Sequence, residues 1–585
     1  MPTSDKLNHD PSTAVPARDM TVDLVVVGSG TGMAAALAAH EAGLSALIVE
    51  KTGLVGGSTA RSGGAFWIPA SKLLAEEGMS DSKERAEAYV RAAVDGSSPE
   101  PRWQSFLRHG DEAIALLQRR TPLKFIWTRG YSDYHPDLPG GAAIGRTCEA
   151  KPFDANVLGS DRGMLRPSDL TPPLPMPTTS ADYKWMNLVA RVPAKGIPVI
   201  LKRLALGVGG RLIGRDYVTA GQALAAGMYA GVRKAGIPVW TKTELVELIA
   251  DGSDGEGRVI GVVLEQDGRR VTVTARRGVV LACGGFDHNM EWRRKFQSEA
   301  LQPGWSVGSE GNFGDGIRVA QQLGADVTLM DQAWWFPEIA PVPGGAPPML
   351  LADRSLPGSF IIDDSGARFV NESTDYMSFG QRVLERERAG DPVGSMWIIF
   401  DQMYRNSYVM GGVAYPRMPL PKAWYAAGIA HRATDPAALA KAIGVPAREL
   451  ADTLHRFNDM AAAGVDDDFN RGATAYDRYY GDPTMQPNPN LRPLVGPTLY
   501  AVKVVLGDLG TCGGLRADEA ARVLREDGSP VEGLYAVGNT AGNAFGTTYP
   551  GAGATLAQGI VFSVIAAKHA AGRPVSSTVP NVTTA

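Results

Sequence analysis

Residues 22–27 (VDLVVV) are apolar and β-branched around a single aspartate, the pattern of a strand buried on both faces of a parallel sheet. Gly28-Ser29-Gly30-Thr31-Gly32 follows without a spacer. Residues 33–42 (MAAALAAHEA) then predict an alanine-rich helix, ended by Gly43. Residues 45–49 predict a second strand, closed by Glu50. Strand, glycine turn, helix, strand and acid, in that order, predict a dinucleotide-binding unit. The glycines let the backbone approach a pyrophosphate, and the helix start presents free amides to its charge. Glu50, 22 residues after Gly28, is placed to accept ribose hydroxyls. The spacing departs from GxGxxG: Met33 stands where the third glycine is expected, and Gly32 comes one residue early. A bare glycine triplet also suits any tight strand-to-helix turn, so the context carries the weight.

Residues 51–67 (KTGLVGGSTARSGGAFW) supply a second cradle directly after the acid. Gly56, Gly57, Ser58, Thr59, Ser62, Gly63 and Gly64 offer amides, hydroxyls and little bulk, which suits the extended FAD molecule better than a nicotinamide dinucleotide. Residues 279–282 predict a strand leading into Cys283-Gly284-Gly285-Phe286. Near the other end, residues 533–539 (GLYAVGN) predict a strand and turn, and the glycine-rich 548–555 precedes a helix over 556–571. Lys51, Val246, Asp315 (in GNFGDGI), Gly538, Asn539, Thr555 and Leu556 complete the expected cofactor contacts. The cofactor domain is therefore expected to be assembled from both ends of the chain, with the middle inserted.

With 585 residues the chain is too long for one ordinary core. Its 62 acidic and 58 basic side chains give no general field for nucleic acid. Three widely spaced cysteines exclude a disulfide framework and a CxxC metal site, and the eight histidines show no HExxH spacing. Residues 1–20 are polar and proline-dotted, expected to be a disordered leader rather than an export signal. No run of 18 uncharged apolar residues occurs, so the expected location is cytoplasmic.

The glycine loop, GGSTARSGG, ACGGF, GLYAVGN and YPGAG occur in one order that resembles the fumarate reductase/succinate dehydrogenase flavoprotein superfamily. Within it the chain is most similar to the 3-ketosteroid Δ1-dehydrogenases, from about residue 21 to 573, the more specific motifs being FVNESTDYMSFG and GNAFGTTYPGAGATL. The resemblance implies an α/β fold: a Rossmann-like, noncovalent FAD-binding domain (21–332 and 511–573) with an inserted α+β catalytic domain (333–510), and a flexible tail over 574–585. It implies A-ring dehydrogenation of 3-ketosteroids between carbons 1 and 2, with a quinone-type electron acceptor. The family's functional positions fall on Tyr134 (in YSDYH, with Tyr131 a neighbouring alternative), Tyr376 (in NESTDY), Tyr549 and Gly553 (in YPGAG). Tyr549 and the Gly553 amide would polarise the ketone, Tyr376 would take the carbon 2 proton with help from Tyr134, and carbon 1 would give hydride to the flavin. The reference phenol pKa of about 10 is high for such a base, so something must lower it or share the proton. Any single one of the 17 tyrosines is otherwise more readily explained as packing.

Residues 331–350, rich in aromatics and prolines, suit a pocket wall. There is no His-Pro-Thr motif and no arginine cluster beside Tyr376 in sequence, so a dicarboxylate would lack counter-charges where an apolar steroid needs none. Residues 150–208 form an insertion. Within 185–213, large apolar residues mix with Lys195, Lys202, Arg203 and Arg211, as in a segment lying on the inner face of a membrane or in a hairpin covering the protein itself. Pro193 and Pro198 are expected to interrupt its helix. Two alternatives stand beside the leading reading: a steroid dehydrogenase acting at the carbon 4–carbon 5 bond, and a noncatalytic flavin-holding sterol carrier.

Overall fold

The strand Met20–Val27 lies between two parallel neighbours, Ala46–Val49 and the second half of Arg269–Leu281. The sheet continues in parallel to Val239–Trp240 on one side and to Pro530–Ala536 on the other. The first half of Arg269–Leu281 turns away and pairs antiparallel with Val259–Gln266. The computed structural model describes residues 20–168, 170, 174–252 and 257–572. The expected leader, apart from Met20, and the expected tail lie outside the described residues. Strands from both ends of the chain thus share one sheet, the predicted Rossmann-like arrangement.

Helix Gly32–Glu41 packs on this sheet and against the C-terminal helix Ala554–Ala570. Both are buried nearly all round, which explains their alanine-rich, non-amphipathic sequences. Gly32 performs the packing duty of the missing third glycine. A Cβ there would lie 2.8 Å from Val26 Cγ1 and 2.9 Å from Ala282 Cβ. Met33, fully buried, is the first side chain past that contact.

The second sheet is antiparallel, in the order Ala333–Ile339, Leu499–Thr511, Met396–Asp401, Ser359–Ile362, with Ala430–Ala433 also pairing to Leu499–Thr511. Helix Tyr376–Arg388 lies against it where Gly380 meets Trp335: a Cβ on Gly380 would be 2.2 Å from that of Trp335. A three-stranded sheet, Ala65–Trp67, Thr147–Ala150 and Phe125–Trp127, belongs to the first half of the chain and carries the loop containing Tyr134.

The insertion folds as Ser180–Asn187 and one 20-residue helix, Pro193–Leu212. The expected interruption does not occur. Pro193 sits at the first helical position, where no amide bond is lost. Pro198 deprives only the carbonyl of Ala194 of its donor, and Ala194 is exposed, so water replaces it. Gly196, Gly207 and Gly210 form the inward face, with Gly207 pressed on the Pro175 carbonyl. Ile197, Leu201, Val208 and Leu212 point out, Leu212 being 82% exposed.

Gly32→Val is expected to lower the unfolding free energy by about 1–3 kcal/mol, as overpacking does, and to reduce bound FAD. Gly209→Ala, where a Cβ meets nothing within 4 Å, should leave both unchanged. Urea denaturation and flavin content of the purified variants check this.

Candidate active site

Three segments far apart in sequence meet between the two large sheets. Tyr376 is the first residue of helix Tyr376–Arg388, whose start is capped by Asp375 accepting from the Ser378 amide at 2.9 Å. The residues before it are anchored by charge. Glu372, fully buried, accepts from Arg368 at 2.8 Å and from Arg471 at 3.2 Å, while Arg354 donates to the carbonyls of Glu372 and Thr374 at 2.5 Å. Arginines therefore do cluster beneath this segment, although none was legible beside Tyr376 in sequence. They are taken up by carboxylates and carbonyls of the protein.

Tyr134 lies in the loop between Phe125–Trp127 and Thr147–Ala150, its amide donating to the Pro550 carbonyl at 3.1 Å. The preceding Asp133 accepts from Trp67 Nε1 at 2.8 Å and pairs with Arg146 at 2.6 Å, both charges fully buried. Tyr549 and Gly553 flank the turn into Ala554–Ala570.

The Tyr134 hydroxyl donates to that of Tyr376 at 3.0 Å. The rings of Tyr134, Tyr376 and Tyr549 lie 5.1–5.4 Å apart in every pair. The Gly553 amide donates to the Tyr549 hydroxyl at 3.2 Å. Trp334 packs on Tyr549 and Phe336 on Tyr376, each at 4.8 Å, which makes the aromatic strand Ala333–Ile339 a wall of this site. Tyr131 stands one ring further out, stacked on Tyr479 at 4.6 Å. Glycine at 553 has a backbone reason: its φ is +88°, and a Cβ would lie 2.1 Å from the Ala65 carbonyl oxygen. Sequence reading missed Tyr476, 4.7 Å from Tyr134, and Tyr480; the dense AYDRYY run was the available signal.

Burial holds all three phenols in the protonated form. It raises Tyr376 well above the usual 10, with the nearby Tyr549 adding to the effect and the Tyr134 hydrogen bond opposing it. Burial likewise raises Tyr134 well above that value, and pushes Tyr549 up to about 12 against the hydrogen bonds to Tyr376 and Gly553. The expected help from Tyr134 is thus present in geometry, and desolvation outweighs it.

Several of the expected cofactor residues, among them Glu50, Gly57, Thr59 and Gly538, lie around the glycine turn. Among the described residues, the amides of Gly30, Thr31 and Gly32 have no hydrogen-bond partner at the start of a buried helix. A Cβ on Gly57 would come within 3.9 Å of Gly30, and one on Gly538 within 3.2 Å of the Thr31 hydroxyl. Asn539 Oδ1 accepts from Trp334 at 3.0 Å and from the Thr555 hydroxyl at 3.3 Å, and Leu556 follows in the same helix start. Free amides around small residues fit a pyrophosphate. Glu50 is buried, with four acceptor positions in use: Ser29 and Thr52 each donate an amide and a hydroxyl at 2.5–3.2 Å. The two hydroxyls are the donors that a ribose can replace. Lys51 and Asp315 pair with each other at 2.9 Å, and the strand bearing Val246 packs on the helix that Asp315 begins. Ser58 accepts from the Ser309 amide and Asn312, and Ser62 donates to the carbonyl of the buried Thr59. Gly63 is open. Gly28, Gly64, Gly284 and Gly285 are glycines for packing: a Cβ would meet Ala282, Ala220, Asn312 and Thr511 at 1.9–2.3 Å.

The model of the FAD binding domain family matches residues 23–556. A 3-oxosteroid 1-dehydrogenase of Mycolicibacterium smegmatis is 41% identical over 95% of this chain and 98% of its own. One of Mycobacterium tuberculosis is 42% identical over 94% and 98%. The crystal structure of the 3-ketosteroid Δ1-dehydrogenase of Sterolibacterium denitrificans, in complex with 1,4-androstadiene-3,17-dione, superposes with a TM-score of 0.89 at 38% identity, covering 94% of this chain and 99% of that one.

The raised phenol pKa values fix how stability responds to alkali. A tyrosine ionises near pH 10 when unfolded and higher when buried here, so its contribution is complete below about pH 10 and is lost as pH climbs through the folded values. The urea midpoint of the protein freed of cofactor should begin to fall at about pH 8.5, where the three thiols that burial also raises ionise on unfolding, and fall more steeply past about pH 10 as the phenols join them. A phenolate seen in the folded protein below about pH 9 would contradict this resting state.

Proposed function

From the premise that this chain belongs to the FAD binding domain family, and within it to the 3-oxosteroid 1-dehydrogenases, we propose that the tyrosine cluster is where the A-ring of a 3-ketosteroid is dehydrogenated. The enzyme is an FAD-dependent oxidoreductase that introduces the carbon 1–carbon 2 double bond. Residues 21–332 and 511–573 hold the cofactor and 333–510 the substrate. Gly30, Thr31, Gly32, Gly57, Asn539 and Glu50 are the groups best disposed to hold FAD. When bound, FAD supplies the two-electron acceptor for the carbon 1 hydrogen.

The observation that carries this assignment is the linked pair of hydroxyl contacts, Tyr134 to Tyr376 at 3.0 Å and Gly553 to Tyr549 at 3.2 Å, within one buried aromatic cluster. A ketone oxygen entering between Tyr549 and Gly553 takes two donors, the hydroxyl and the amide. Their attraction for charge is strong because the site is buried. Polarising the ketone acidifies the hydrogens on carbon 2. The closer that acidity comes to the Tyr376 phenol, the smaller the mismatch in the proton transfer. Tyr376 can take that proton only as phenolate, so its own proton must first leave to solvent; the Tyr134 hydroxyl, donating at 3.0 Å, stabilises the phenolate until the carbon 2 proton neutralises it. The aromatic wall of Trp334 and Phe336 holds a flat apolar substrate and excludes water.

A quinone-type acceptor is part of the proposal, supported by the resemblance to the fumarate reductase/succinate dehydrogenase flavoproteins. So is a peripheral contact with anionic lipid through 185–213. Its support is the outward stripe of Ile197, Leu201, Val208 and Leu212 on a helix whose inward face is glycine. Among the described residues, no helix is long and apolar enough to cross a membrane.

Two experiments test these readings. Anaerobic mixing with androst-4-ene-3,17-dione should bleach the flavin and yield the 1,4-diene; any other product assigns a different ring position. Tyr376→Phe should keep FAD and steroid yet reduce its flavin on the order of 10²–10⁴-fold more slowly, and a wild-type rate removes Tyr376 from the mechanism. Separately, a Leu201→Glu/Leu212→Glu double variant should stop floating with anionic vesicles while its rate on dissolved steroid stays within about twofold of wild type. Equal flotation of both proteins refutes the lipid contact.

A further inference from the structure

The Tyr89 hydroxyl lies at the joint between two of the segments that build the site. Tyr89 belongs to helix Lys83–Val94 and is fully buried. Its hydroxyl donates to the Pro550 carbonyl at 2.5 Å and accepts the His135 amide at 3.3 Å. The same Pro550 carbonyl accepts the Tyr134 amide at 3.1 Å, so both of its lone pairs are used. Tyr134-His135 and Pro550, the residue next to Tyr549, are thereby closed into one ring of hydrogen bonds with Tyr89 at its centre. A third tie runs alongside, from His135 Nε2 to the Thr548 hydroxyl at 3.1 Å.

The Tyr89 ring is itself fixed. It packs against Trp67 at 6.0 Å and under the Arg146 guanidinium at 5.5 Å, two side chains that also hold Asp133. The loop returning from Tyr134 presses on the same helix, since a Cβ on Gly140 would lie 2.2 Å from the Arg85 carbonyl oxygen and 3.0 Å from the Tyr89 nitrogen. Burial keeps the Tyr89 phenol well above its usual pKa, so the hydroxyl remains a donor.

We propose that Tyr89 is a positioning residue for the dehydrogenation: through Pro550 and His135 it sets the spacing between the proton-handling pair, Tyr134 and Tyr376, and the ketone-binding pair, Tyr549 and Gly553. The inference rests on the function proposed above. It follows from the requirement that ketone polarisation and proton removal act on adjacent carbons of one rigid ring. A small error in spacing cannot be absorbed by the substrate, and displacements near 1 Å cost on the order of 100-fold in rate.

The test compares the FAD-loaded wild type with Tyr89→Phe, Thr548→Val and, as a control, Tyr404→Phe, whose hydroxyl donates to the Asp353 carbonyl at 2.7 Å outside the cluster. Tyr89→Phe should bind androsta-1,4-diene-3,17-dione within about twofold of wild type and reduce its flavin about 10–100-fold more slowly. The infrared stretch of the bound C3 carbonyl should shift toward its free value, reporting weaker polarisation. Thr548→Val should move rate and stretch the same way by a smaller factor, about threefold or more in rate. Tyr404→Phe should alter thermal stability alone. A wild-type reduction rate and an unshifted stretch in Tyr89→Phe overturn the proposal, whatever its melting temperature. Should that variant fail to fold, wild-type values in Thr548→Val overturn it equally. A wild type that no ketosteroid reduces sinks the functional assignment instead, and is distinguished by appearing before any substitution is made.

Discussion

The hydrogen bond between Tyr134 and Tyr376 joins residues 242 positions apart, and the rest of the structure can be understood as what makes that contact possible. Two phenols and a third ring are taken out of water and brought within about one ring diameter of each other. Desolvation alone would leave each hydroxyl costly and free to rotate. The protein answers with partners: Tyr134 for Tyr376, the Gly553 amide for Tyr549, and the Pro550 carbonyl for the Tyr134 backbone. The neutral phenol is the resting state; Tyr376 is a base only after that proton has left, and the Tyr134 hydrogen bond together with a polarised ketone lowers what the transfer then requires.

Buried charge supports this apolar centre from beneath. Arg146 with Asp81 and Asp133 fixes the loop of Tyr134, and Arg368 and Arg471 with Glu372 and Asp466 fix the segment before Tyr376. Such networks add little net stability compared with apolar packing, because each ion is stripped of water. Their value here is geometric. Removing one partner leaves an uncompensated charge, so the loops have few alternative positions.

The fold was largely legible where the signal was local. The strand, glycine turn and helix at 22–42 follow from periodicity, and the pairing of both chain ends follows from repeated strand-glycine patterns. Motifs singled out Tyr376, Tyr549 and Gly553, which the fold brings side by side. What escaped was tertiary. Gly284 and Gly285 are expected as cofactor glycines, and their missing side chains also make room for Asn312 and Thr511, a steric reason that no pattern records. Pro198 looks like a helix breaker, but the carbonyl it deprives faces solvent. The choice between Tyr131 and Tyr134 turns on which hydroxyl reaches Tyr376 at the start of a distant helix, which no spacing records. Burial raising the Tyr376 pKa could not be read either, because desolvation depends on Trp334, Phe336 and the other walls that arrive from elsewhere.

Helix Gly32–Glu41 and its buried partner Ala554–Ala570 have 512 residues between them. During synthesis the side of the first helix that meets Ala554–Ala570 stays without that partner until those 512 residues have been made. The turn with Tyr549 and Gly553 leads into that second helix, so the docking of the helix also completes the tyrosine cluster. While the intervening residues are made, association of the uncovered apolar face competes with folding.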